Sequence, residues 1–266
     1  MLHIEPIDLR VTNDFEPDLE RRFSGLRRLY GDAGYAHIRA ARFAIVGLGG
    51  VGSWCAEALA RSGVASLTLI DLDHVAESNI NRQVQALGAT IGQSKVQALR
   101  DRIADIHPGC EVIAVEEFVD EGNWPALLPQ PVDAVIDACD QVRAKAAIAA
   151  WALRTRSMLV IAGAAGGKRQ PHAVQVEDLG LVTHDPLLAS LRQRLRKQHG
   201  AARSGKIGLR CVFSREAVAG PDESCNVDGA SDGSLNCHGY GSSVGVTATF
   251  GMVAASLALE FAAAQE

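Results

Sequence analysis

The chain has 266 residues, 47% hydrophobic and 21% charged, which is ordinary for a soluble globular protein able to bury a full core. Its net charge of -5 excludes a protein coated in positive charge, so any contact with a polyanion must be local. The six cysteines, Cys55, Cys110, Cys139, Cys211, Cys225 and Cys237, include no CxxC pair, which argues against a disulfide framework and for a reduced, cytoplasmic setting. The first residues show no basic stretch followed by a long apolar one, so export is not expected.

In chain order, residues 1–41 carry a charged stretch from Glu20 to Arg28 and then Ala-rich residues with apolar spacing, predicting an N-terminal arm of short helices. Arg42 to Gly47 is a short apolar run ending in glycine, hence a buried strand, and Ser53 to Arg61 a helix that stops near Gly63. Ser66 to Asp71 reads as a second strand with an acidic end. Lys95 to Ile106 is helical before the breaker His107-Pro108-Gly109. Further strands are predicted at Cys110 to Val115, Ala134 to Ala138 and Met158 to Gly163, with a helix over Val142 to Arg154. This alternation predicts an α/β, doubly wound, mainly parallel sheet, with a nucleotide-binding domain over 42–168.

Past Gly166-Gly167 the regularity fades into a C-terminal α+β extension, 169–266, within the same compact domain. It holds an alternating strand at Pro171 to Leu179, a basic helix at Pro186 to Gln198, a short strand at Cys211 to Ser214 and a Gly/Ser/Asp loop at Ala219 to Gly241. Val244 to Leu259 is apolar enough to be flagged as membrane-spanning. Its small residues and the interrupting Glu260 favour a helix buried in a domain or dimer core, so no membrane insertion is expected.

The chemistry concentrates at the glycine turn. Gly47, Gly49 and Gly52 fit GxGxxG between a strand and a helix, with Gly50 inside, and Asp71 ends the next strand 19 residues after Gly52. Glycines let a backbone approach phosphate, a helix N-terminus favours negative charge, and a carboxylate at the second strand's end accepts from ribose hydroxyls. Taken alone the pattern fits a nucleotide, an NAD-dependent oxidoreductase, or a turn that merely packs helix on strand. A triphosphate attacked at its α-phosphorus needs cations, and Arg82 and Lys95 are suitable ones. Asn79, Asn81 and Gln83 add neutral donors. Singly, each has an alternative role, as a surface charge or a turn former. Asp137 and Asp140 follow the fourth strand, where carboxylates suit Mg2+ shared with phosphates; Asp140 also suits the N-cap of the next helix.

Two further features carry chemistry. Between Arg192 and Arg210 stand seven basic residues, Arg192, Arg194, Arg196, Lys197, Arg203, Lys206 and Arg210, with no acidic one. They are either a phosphate-contacting strip or a solvated helix face and loop. Cys237, in the setting Asn236-Cys237-His238-Gly239, is either a reactive thiol or an incidental one.

Together, Val46 to Gly52, Leu69 to Asp73, Asn79-x-Asn81-Arg82-Gln83, Gly92-x-x-Lys95 and Asp137-x-x-Asp140 resemble the E1-like (ThiF-type) superfamily of adenylating enzymes over residues 20–165. The resemblance implies a Rossmann-like fold and ATP, with Asp71 at the ribose, Asp73 among the ATP-binding residues, Arg82 and Lys95 at the phosphates and Asp140 holding Mg2+. Arg22-Phe23-Ser24-Gly25, Gly163 to Gly167, Asp185-Pro186-Leu187, Cys211 to Ser214 and Val246 to Gly251 resemble one branch, the tRNA threonylcarbamoyladenosine dehydratases. That branch implies a tRNA carrying threonylcarbamoyladenosine as the partner, closed to its cyclic form after adenylation of its threonyl carboxylate. It also implies a homodimer and leaves room for a sulfur-transfer protein.

Relatives that activate a ubiquitin-like sulfur carrier, the alternative reading, carry two CxxC pairs for zinc. Here the chain reads Gly208-Leu209-Arg210-Cys211, so no structural zinc is expected. Many relatives also place an arginine where Gly25 falls, for an ATP contact made from the partner subunit. Arg22 and Arg28 are the candidates to replace it.

Overall fold

The computed structural model of the protein describes residues 16–220 and 240–265. An arm of α1 (Leu19–Phe23) and α2 (Arg27–Ala40) leads into β1 (Arg42–Val46), α3 (Gly52–Arg61), β2 (Ser66–Ile70), α4 (Lys95–Ile106) and β3 (Glu111–Val115). Then follow β4 (Ala134–Asp137), α5 (Val142–Thr155), β5 (Met158–Ala162), β6 (Val174–Asp178), α6 (Pro186–Gln198), β7 (Arg210–Ser214) and α7 (Val244–Ala263). Every strand and helix expected from the sequence within these residues is present, most with ends displaced by a residue or two, and the last helix runs four residues past Leu259. A difference of kind is at Pro171–Ala173, a single 3-10 turn ahead of β6 rather than the start of the strand. Proline has no N–H to give to a ladder.

The seven strands form one sheet in the order β3-β2-β1-β4-β5-β7-β6, parallel except for the β6–β7 pair. The strands buried on both faces are near-continuous apolar runs, such as Phe43-Ala44-Ile45-Val46, because helices cover each side. Helix α7 lies against α3 and α2, with Val246, Phe250, Ala254 and Ala258 fully buried. At 20 residues it is long and apolar enough to span a membrane, yet half of it is buried inside the protein. The C-terminal extension therefore adds two strands to the same sheet and returns a core helix to the first half of the chain.

The arm is locked at its base. Arg22 donates from Nη1 to the carbonyl oxygens of Asp105 and Ile106, satisfying the end of α4. Phe23 stacks between the Arg39 guanidinium, 4.8 Å from its centroid, and the ring of His107, 4.6 Å away. His107 is buried, and its Nε2 lies 3.1 Å from Nη1 of Arg39. Burial first, and then the Arg39 charge, push the His107 pKa down. The folded chain thus resists a proton that the unfolded chain takes up near pH 6.5. This contribution to stability is complete above that pH and is lost as the pH falls below it. A His107→Gln variant is expected to show a flatter dependence of Tm on pH between about 7 and 5.5 than the parent, by differential scanning fluorimetry.

Candidate active site

The order β3-β2-β1-β4-β5 reverses between β1 and β4, and a crevice opens outside the carboxyl ends of strands at such a point. The glycine turn fills its floor. Gly47 has φ +85, and a Cβ there would stand 2.8 Å from the backbone of Cys139, so the turn after β1 presses against the loop after β4. A Cβ on Gly52 would overlap the Gly47 carbonyl oxygen, which keeps α3 close to the strand. Gly49, in contrast, faces open space, and Gly50 lies under the Arg82 and Thr247 side chains.

Asp71, at the end of β2, is buried. Its Oδ2 accepts from the Leu48 N–H at 2.5 Å and its Oδ1 from the Asp73 N–H at 2.8 Å. Burial raises its pKa, an effect countered by the charge of Lys95 and by those two N–H groups. Lys95 opens α4, whose N-terminus carries partial positive charge, and its Nζ pairs with Asp73 Oδ2 at 2.7 Å. Lys95 is itself nearly buried whereas Asp73 is half exposed, so the ammonium is fixed from one side by a carboxylate free to swing into solvent.

Arg82 projects from the loop between β2 and α4. Its backbone carbonyl accepts from Trp54 Nε1 at 3.0 Å, and its Nη1 donates to the Ser78 carbonyl at 2.6 Å and Asn81 Oδ1 at 2.9 Å. Partial burial pulls its pKa down, but a guanidinium stays charged at any physiological pH. Asn81 also donates from Nδ2 to the Ser242 carbonyl, so the loop is tied to the chain just ahead of α7. Buried Asn79 spends its Oδ1 on the Ala76 N–H, the turn-forming role among the two open to it. Gln83 is buried, and its Oε1 accepts from Gln85 Nε2, which ties it to the brace beneath the glycine turn.

The acidic pair after β4 divides. Asp137 is fully buried, its Oδ1 taking the Lys145 ammonium at 3.1 Å and the Cys139 thiol at 3.0 Å, so it does not face the crevice as a metal ligand would. Burial opposes the charge on Lys145, but Asp137 outweighs it and holds that pKa above the usual value. The partly exposed Asp140 sits in the loop that touches Gly47, and the N-cap of α5 is Gln141. A metal shared between one carboxylate and substrate phosphates suits this donor set, and among the described residues no three His, Cys, Asp or Glu side chains gather to hold one alone.

Three participants were missed by sequence reasoning. Gln85 donates to the Leu48 carbonyl at 2.9 Å and so braces the glycine turn, Thr247 on α7 packs on Gly50, and Lys145 anchors the Asp140 loop. Only Lys145, a charge inside the Ala-rich run Ala144-Lys145-Ala146-Ala147, left a trace in the sequence. Arg22, a candidate for an ATP contact across a dimer, is committed to the end of α4 instead, leaving Arg28 exposed on α2. Burial pushes the thiol of Cys211 far up, which removes it as a nucleophile; Cys225 and Cys237 lie outside the described residues.

The site thus gathers two fixed cations, a helix N-terminus and open space over Gly49, an arrangement that receives a polyphosphate. Residues 21–264 match the ThiF family. The chain belongs to that family. Its relatives in the ThiF family include the tRNA threonylcarbamoyladenosine dehydratase of Escherichia coli, 42% identical over 90% of this chain and 92% of that protein. Crystal structures of the E. coli dehydratase with ATP and with AMP match the fold with a TM-score of 0.82, covering 91% of this chain and 93% of theirs. The molybdopterin-synthase adenylyltransferase of E. coli is 38% identical, but over 41% of this chain and 43% of its own.

Removing one partner of a buried ion pair strands the other charge. Lys145→Ala is expected to lower stability by about 3–5 kcal/mol in urea unfolding. The double variant Lys145→Met/Asp137→Leu is expected to regain most of that stability and still bind ATP more weakly, because the loop carrying Asp140 loses the carboxylate that receives the Cys139 N–H.

Proposed function

We propose that this chain uses ATP to adenylate the threonyl carboxylate of threonylcarbamoyladenosine in tRNA and then closes it to the cyclic form. The carboxylate oxygen attacks the α-phosphorus of ATP and pyrophosphate leaves. The neighbouring ureido group displaces AMP from the acyl adenylate, with net loss of water. Adenylation turns a poor leaving group into a good one, so the protein has mainly to position the reactants and stabilise charge. Asp71 and Asp73 take the ribose, the glycine turn receives the phosphates, and Lys95 and Arg82 face the charge that develops on them. Mg2+ held by Asp140 would neutralise charge on the phosphate oxygens.

The observation that carries this reading is the pair of fixed cations over the turn, where a dinucleotide needs little positive charge. The acceptor follows from the extent of likeness. Identity to the dehydratase of E. coli runs through nine-tenths of both chains, whereas the likeness to a molybdopterin-synthase adenylyltransferase spans less than half of this one. A small carrier protein is accordingly the second reading. A cytoplasmic homodimer fits the same assignment, with Val244 and Met252 on the uncovered side of α7 as contact candidates and Arg28 reaching across.

Lys95→Ala and Arg82→Ala are each expected to reduce kcat for cyclic product by about 10²–10³-fold, the usual effect of deleting one charge-stabilising donor. Chromatography of digested tRNA, with pyrophosphate release followed in parallel, measures this. Normal turnover by either variant would overturn its assignment. Pyrophosphate release with a carrier protein and none with modified tRNA would move the acceptor to the second reading.

A further inference from the structure

The basic residues of α6 do not form one strip. Arg194 turns away and pairs with Glu121 at 2.9 Å. Arg192, Arg196 and Lys197 share the opposite face with Ala189 and Gln193, at the i, i+3, i+4, i+7, i+8 spacing of one helix side. With Arg203 from the following loop these residues line an open groove of about 550 Å³.

Two of the cations are pre-positioned by the backbone. Arg192 donates from Nη1 to the carbonyl oxygens of Leu179 and Val182, and Arg196 from Nε to that of Ala202. Each keeps further N–H groups for a ligand. Lys197 and Arg203 are exposed and make no ion pair among the described residues, and no acidic side chain lines the groove. In a chain of net charge -5, four cations with no acidic partner among the described residues make a local positive surface suited to a polyanion.

Helix α6 also fixes where this groove lies. Its N-cap Asp185 accepts from the Ala164 N–H just past β5, so the helix starts at the edge of the sheet that holds the active site. Its last residue, Gln198, shares a cavity with Leu153 and Arg154 at the end of α5, so the helix runs away from that edge. At about 1.5 Å per residue, Arg192 is roughly 9 Å and Lys197 roughly 16 Å from the start of the helix.

We propose that this groove holds the sugar–phosphate backbone of the tRNA on one side of the modified adenosine, a second contact beyond the active site. This rests on the proposed action on tRNA and adds the position of the second contact. The groove is too long and open for one phosphate ion, and its row of cations suits a chain of phosphates.

The test uses three substrates with the modified nucleoside: intact tRNA, a hairpin of its stem and loop, and a trinucleotide centred on it. For Lys197→Glu/Arg203→Glu, KM for tRNA and hairpin is expected to rise about tenfold or more with kcat unchanged. The slope of log binding against log salt should become shallower by about 2, one for each phosphate contact. The trinucleotide, too short to reach the groove, should be turned over as by the parent, and Arg194→Gln should leave the slope as it was. Unaltered tRNA KM and slope in the double variant would overturn the groove while leaving the dehydratase reading intact. So would an equal loss on the trinucleotide. If the parent cyclises no tRNA, that reading fails, and the groove is decided by filter binding of unmodified tRNA. An unchanged salt slope there, with polyglutamate bound instead, would assign the groove to an acidic protein.

Discussion

Most of the active site depends on where Asp71 puts its two oxygens. One binds the Leu48 N–H in the glycine turn after β1, the other the Asp73 N–H after β2, so a single buried carboxylate sets the spacing of two loops. A buried carboxylate stripped of water is costly unless its lone pairs are used. Here they are met by backbone donors and by the field of Lys95, which enters from a third segment. Turn, strand end and helix N-terminus are therefore mutually dependent.

A second buried pair does the same on the other side of the crevice. Lys145 reaches back from α5 to Asp137 and to the Ala162 carbonyl, tying β4 to β5 below the loop that meets Gly47. An ion pair so deep adds little net stability over apolar residues of equal volume. Its value lies in geometry, since Asp137 also receives the Cys139 N–H and so shapes the loop that presents Asp140.

These arrangements separate what was legible in the sequence from what was not. Strands and helices came from local periodicity, and Gly47, Asp71, Arg82 and Lys95 from spacing within one ordered segment, because each effect acts over a few residues. The division between Asp137 and Asp140 was hidden, since both are carboxylates at a strand end and only the packing of α5 decides which one faces in. Gln85 and Thr247 were hidden for the same reason: their contacts lie 37 and more than 160 residues away in sequence. The basic stretch from Arg192 onward was visible as composition, but its division into a groove and the Arg194–Glu121 pair depends on Glu121, 73 residues earlier.

That division bears on how an acidic protein can take a polyanion at all. Repulsion from most of the surface disfavours any approach that does not bring the phosphates to the few places where cations stand uncompensated. Of the proposed site cations, Lys95 is nearly buried and paired with Asp73, so its charge is largely compensated towards solvent. Lys197 and Arg203 are exposed and make no ion pair among the described residues, so their field reaches into solvent. On the groove proposal, attraction and chemistry fall to different elements, and α6, held at its Asp185 cap and by its contacts with α5, presents its cations from a fixed position.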